Sequence, residues 1–253
     1  MKILAIIIGI PLFLYFSSLH SLIQINNAKE IVRKADEKMR GKTSKAEMTI
    51  QIVRPTWTRE IKMKTWTKGT NFAFLLVTAP IKEKGIVYLK KVKEVWNWIP
   101  SIERTIKLPP SMMSQSWMGT DFTNDDLVKE SSVVEDYTHE LLADTTIDSR
   151  SCYKILMKPT PDASVVWGKV IVWIDKKDYL ELRAEFYDEE NVLVNIMVAS
   201  DIKMMDGWLL PTKIEMIPVD KKGNKTVMIY EQLKFDIPMD ETFFSTQNMK
   251  QLK

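Results

Sequence analysis

The chain has 253 residues, of which 45% are hydrophobic and 27% charged, with a formal net charge of +3 at pH 7. Lysines and acids are interspersed rather than clustered, which excludes the basic footprint of a nucleic-acid-binding protein. Cys152 is the only cysteine, so no intramolecular disulfide can form, and no cysteine follows the apolar start to carry a lipid of the bacterial lipoprotein kind.

The first element reads as a secretory signal. Met1 and Lys2 give a short charged start, Ile3 to Phe16 is apolar apart from Gly9 and Pro11, and Ser17, Ser18 and Ser21 follow. The run is too short for a comfortable membrane span. The expected leader covers residues 1–21, with cleavage after Ser21 or, alternatively, after Ala28. Residues 22–253 then form one exported, soluble domain with no lipid anchor, since no linker, repeat or low-complexity tract divides them.

A helix is expected next. Ala28, Ile31, Val32, Ala35 and Met39 recur at helical spacing, with Asn27 as N-cap and Gly41 as stop. From there the period switches to two. Ala46, Met48, Ile50 and Ile52 alternate with polar residues, as do Ile61 and Met63. Leu180, Leu182, Ala184 and Phe186 face away from Glu181, Arg183 and Glu185, and Val227, Ile229, Leu233 and Phe235 close the series. Turn residues fall at Lys68-Gly69, Asp175 to Asp178, Asp188 to Asn191, Asp206-Gly207 and Lys222 to Asn224, the spacing of long antiparallel hairpins. The stretches Val165 to Ile174 and Val192 to Ile202 are apolar on both faces, as for strands under a helix or inside a curved wall. A sheet this long must curl, and one helix cannot cover it. The expected fold is therefore mainly β (α+β): a strongly curved antiparallel sheet, a half-open barrel, wrapped around a few helices and a lid loop.

The stretch from Glu94 to Leu127 stands apart. Trp96 and Trp98 lie on a short strand ending at Pro100, and a basic strand follows. After Pro109-Pro110 come Met112, Met113, Trp117, Met118 and Phe122, with neither strand nor helix period. Large soft side chains on irregular backbone can repack around varied apolar shapes, which points to a surface for greasy ligands; a loop tucked over a core is the alternative. A connection of this length is usually functional or a lid.

Little in the chain suggests chemistry. His139 and Cys152 make no zinc set, and no G-x-S-x-G turn is present to serve a hydrolase. His139 is expected on a partly exposed strand face. An EF-type calcium loop opening at Asp121 fails where Asp126 replaces glycine and Ser132 replaces glutamate. Thr123 or Asn124 instead caps a short helical turn with an acidic start, and Gly119 makes the bend that brings Trp117 and Phe122 to one side. Asn224-Lys225-Thr226 matches a glycosylation sequon inside what reads as a hairpin turn. No catalytic residue, metal or cofactor is expected.

The runs WNWIPSIERTIK and SWMGTDFTNDDL resemble the signature of outer-membrane lipoprotein-sorting proteins, relatives of the LolA and LolB carriers. The matching positions are Ser116, Met118, Gly119, Thr120, Asp121, Phe122, Asp125, Asp126 and Leu127, with Trp117 where the family has Phe. The resemblance implies a half-barrel under a lid and a periplasmic carrier for lipid or lipoprotein acyl chains. It further implies an inner-membrane transporter that loads the cargo and an outer-membrane acceptor that receives it. Trp96, Trp98, Met112, Met113, Trp117, Met118 and Phe122 would line the cavity or its lid, and Arg104 and Lys107 would meet a headgroup or partner. An accessory or sensor subunit that binds an inner-membrane transporter or signalling protein without transporting anything is the alternative implied by the same fold.

Overall fold

The computed structural model describes residues 13–129 and 132–252, with side chains from residue 27 onward except Lys129. The start of the expected leader, residues 1–12, lies outside the described residues. Helix α1 spans Phe13–Arg40. Asn27 is therefore inside the helix and not its cap: no Gly or Pro lies between residues 12 and 40 to interrupt it. Gly41 ends it as expected, at φ +62°, its N–H returning to the Glu37 carbonyl at 2.8 Å. A Cβ there would lie 2.6 Å from Phe235 Cδ1, so glycine is required twice over. Among the described residues no helix is long and apolar enough to cross a membrane.

Every strand joins one antiparallel sheet that does not close. Its first half is a meander of β1 (Thr43–Arg54), β2 (Trp57–Lys68), β3 (Phe72–Ala79), β4 (Val87–Lys91), β5 (Glu94–Ile99) and β6 (Arg104–Lys107). The second half comprises β7 (Tyr137–Leu141), β8 (Thr145–Ile147), β9 (Arg150–Pro159), β10 (Lys169–Asp175), β11 (Glu181–Tyr187), β12 (Leu193–Met205), β13 (Trp208–Pro218) and β14 (Lys225–Phe235). The spatial order is β6-β5-β4-β3-β2-β1-β14-β13-β12-β11-β10-β9-β7, with β8 beside β9. The β1–β14 pairing welds the two halves. The turns fall where the sequence places them, and the result is the curved half-barrel expected from strand number and pattern.

The inner face carries two continuous clusters. One joins Met48, Ile50, Met63, Leu75, Ile214 and Met216 to the segment between β6 and β7. In the other, Ala28, Ile31, Val32 and Ala35 of α1 pack on Ile155, Val170, Val172 and Ile174; on the opposite face of β10, Ile171 and Trp173 pack with Cys152, Leu180 and Leu182, so β10 is apolar on both faces.

Two β-bulges overturn the simple alternation. In β14, Glu47 pairs with Gln232 but Met48 pairs with Tyr230, so Glu231 is extra. Met228, not Ile229, consequently shares the inner cluster with Leu233 and Phe235. In β11, Trp173 pairs with Arg183 and Ile174 with Glu181, so Leu182 is extra. Leu180 and Leu182 then pack outward with Cys152 and Trp173. Glu181 is carried off the Arg183–Glu185 face to the inner one, against the sequence expectation.

Candidate functional site

Between the inner face, α1 and the β6–β7 segment lies a cavity of about 320 Å³. Its walls are mostly apolar: Met48, Met63, Leu75, Met157, Val172, Phe186, Met197, Met216 and Met228 among them. That volume and lining are those of a pocket for an apolar ligand.

The β6–β7 segment is the roof, and its motif residues hold it there. Met113, Trp117 and Phe122 are buried in the inner cluster, with Met112 and Met118 partly buried against it. Gly119 at φ +82° and Met118 at φ +50° form the expected bend, and the Trp117 N–H donates to the Phe122 carbonyl at 2.9 Å. Thr123 is the cap: its hydroxyl accepts from Asp126 N–H at 3.1 Å, while Asp126 Oδ2 accepts from Thr123 N–H at 2.7 Å. This reciprocal box starts a single helical turn over Asp125–Lys129. Trp167 Nε1 donates to the other Asp126 oxygen at 3.0 Å, and burial still pushes that carboxyl's pKa up.

Asp121 latches the roof to the sheet. Its Oδ2 accepts from Arg54 Nη1 at 2.9 Å and from the Thr226 hydroxyl at 2.7 Å, and its own N–H donates to Thr226 Oγ1 at 2.9 Å. Arg54 also donates to the Gly119 carbonyl at 3.0 Å, and Asn195 to that of Asp121 at 3.3 Å. The Arg54–Asp121 pair is largely buried. Sequence reasoning misses Arg54, Thr226, Asn195 and Trp167, because each meets the motif across a separation of 41 to 105 residues. Arg54 stands next to Pro55 at a hairpin turn, where a charged residue reads as solvated.

The proposed site residues divide. Of the seven apolar positions, Phe122 borders the cavity and Met112, Met113, Trp117 and Met118 build its roof. Trp96 and Trp98 do not join them. They pair with Leu89 and Val87 on the outer face and pack with Phe74, Phe243, Phe244 and Met249, because period two puts Asn97, not its neighbours, on the inner side. Trp117 is fully buried, its indole N–H without a partner among the described residues, against Tyr88 at 6.0 Å between ring centres. It is a core residue, so Trp117→Ala removes about 3–5 kcal/mol of stability, read as the shift of a urea midpoint. Arg104 and Lys107 sit on the exposed edge strand β6 and do not border the cavity; Lys107 pairs with Glu94 and lies over Trp96. His139, expected near the surface, is buried: Tyr137 and His139 alternate inward, and its Nε2 meets the Val133 carbonyl at 2.7 Å. Burial lowers its pKa.

One part of the cavity is polar. Near the C-terminus of α1, Arg40 Nη2 donates to Asp36 at 2.9 Å, and Ser44 bonds Thr67 across β1 and β2. Lys90 and Glu181 border the cavity as well. Burial, then the like charge of Asp36, push the Glu181 carboxyl up to about 7.

Residues 69–251 match the model of a family described as uncharacterized proteins. No curated protein matches the chain. A DUF1329 family protein from Desulfovibrio piger superposes at TM-score 0.81 with 20% identity, covering 89% of this chain and 99% of its own. An outer membrane lipoprotein-sorting protein domain from Vibrio parahaemolyticus gives 0.80 and 20% over the same shares. A LolA superfamily protein from Nitrosomonas europaea gives 0.76 and 24%, over 87% and 98%. At these identities the likeness is one of fold, and the half-barrel expected from the sequence is the one these structures share.

Proposed function

The chain belongs to the family of uncharacterized proteins whose model residues 69–251 match, and from its LolA-superfamily fold we propose that it is a non-enzymatic carrier of acyl chains. The cargo is a lipid or a lipid-modified protein, held in the cavity beneath the roof. The observation that carries this reading is the largely apolar cavity of about 320 Å³. A packed interior leaves few voids larger than a water molecule, so a volume of this size needs an occupant. Burying hydrocarbon there returns roughly 0.8 kcal/mol per methylene, enough to draw a chain out of water.

Two structural neighbours are an outer membrane lipoprotein-sorting protein domain and a LolA superfamily protein, which supports transfer across the periplasm. In this reading residues 1–21 are an export leader and 22–253 the mature single domain. An inner-membrane transporter loads the cargo and an outer-membrane acceptor takes it. Met112, Met113, Met118 and Phe122 contact the chain, with Trp117 supporting them from behind. Arg104 and Lys107 on the exposed edge strand are offered to the partner.

The test is direct binding. Delipidated protein titrated with a fluorescent long-chain alcohol should saturate at one site, and native mass spectrometry of gently purified protein should show co-purified lipid. An absence of saturable binding, with a stable protein partner and an empty cavity, would overturn the carrier in favour of an accessory or sensor subunit.

A further inference from the structure

Four carboxyls border the cavity: Asp36, Asp125, Asp126 and Glu181. Three are engaged. Asp36 holds Arg40, Asp126 accepts from Thr123 and Trp167, and Asp125 has partners of its own. Glu181 is different: among the described residues no hydrogen bond or ion pair holds it. It is also the residue that the Leu182 bulge moves from the solvent face to the inner face. Bulges re-aim side chains in this way near functional sites. Glu181 is half-buried on the cavity wall, and a carboxyl brought inside without a protein donor relies on water or a ligand to supply one.

We propose that Glu181 is the head-group anchor of this cavity, and that the cavity takes an amphiphile whose polar end is a hydrogen-bond donor, an ammonium or a hydroxyl, in preference to a free carboxylic acid. The inference rests on the carrier reading and adds an orientation to it. The polar end lies beside Glu181 near the C-terminus of α1, and the tail runs along Val172, Phe186 and Met197 toward Phe122. Arg40 and Lys90, the two cations that border the cavity, do not reverse this preference, because Asp36 already occupies Arg40 and Lys90 has a partner of its own.

The experiment is calorimetric titration of the delipidated full chain at pH 8 with three twelve-carbon probes below their aggregation limits: dodecylamine, dodecanol and dodecanoate. Dodecylamine should bind at least about tenfold more tightly than dodecanoate, with dodecanol between them. In Glu181→Gln the spread should collapse to within about twofold. In Glu185→Gln, which alters a carboxyl three pairings further along on the outer face, it should persist. Equal affinity for all three probes in the unmodified protein overturns the head-group assignment and leaves the carrier standing. Binding of none of them overturns the carrier, and the assignment with it. The unmodified protein decides the matter even if the Gln variant does not fold.

Discussion

Asp121 and Glu181 are both carboxylates turned toward the interior, and their surroundings are opposite. Asp121 has an arginine, a hydroxyl and the ends of the roof's backbone gathered around it. Glu181 has a cavity, a like-charged neighbour and, among the described residues, no donor. The first arrangement is that of a structural pair, a carboxylate oxygen held by an arginine and a hydroxyl. The second leaves electrostatic work undone in the protein alone. Buried polar groups are normally satisfied, so the contrast separates a residue that holds the roof from one that awaits a ligand.

Breaking the latch should have the larger effect. Asp121→Ala leaves Arg54 buried without its anion and should destabilise by about 3–5 kcal/mol, measured by urea unfolding. The double change Arg54→Met with Asp121→Leu should lose less than the single one, since no orphaned charge remains. If both lose equally little, Asp121 is no latch and the contrast with Glu181 disappears.

Relieving Glu181 should have the opposite sign and a smaller size. Its folded carboxyl titrates near 7 against an ordinary value of 4.5, so the folded state holds its proton longer than the unfolded one. Its penalty is absent below about pH 4.5, grows as pH rises, and is complete above about 7. Glu181→Gln should therefore match the unmodified protein at pH 4 and be more stable at pH 8, by on the order of 2–3 kcal/mol. A stability gap that does not change with pH would show that Glu181 is solvated after all. The smallest effect belongs to the outer edge. Lys107→Ala removes an exposed pair with Glu94 and should shift stability by less than about 0.5 kcal/mol, with long-chain alcohol affinity unchanged.

Much of this molecule is readable along the chain. Alternation in β1 and β2, the hairpin turns and the Gly41 stop are local properties, set by period, backbone freedom and solvation within a few residues. The roof was legible for the same reason: a glycine bend, a Thr123 cap and an aperiodic apolar run need no distant partner to be recognised. Other readings failed on which side of the sheet a strand's residues face. Trp96 and Trp98 are close in sequence to the roof, yet one strand's alternation sends them to the far face. The signal for His139 was present in the inward alternation of Tyr137 and His139, but its polarity argued the other way.

Composition and periodicity by themselves determined that this chain forms a long, curled antiparallel sheet with a greasy cover, because each strand's wet and dry sides are written within the strand. Tertiary structure alone decided which carboxyl faces inward and which holds the cover down. A bulge is a mismatch between two strands and is invisible in either one, so Glu181 and Glu231 look alike until β10 and β1 are laid beside them. Arg54, Thr226 and Asp121 likewise become a unit only when the sheet's curvature brings three distant segments to one point.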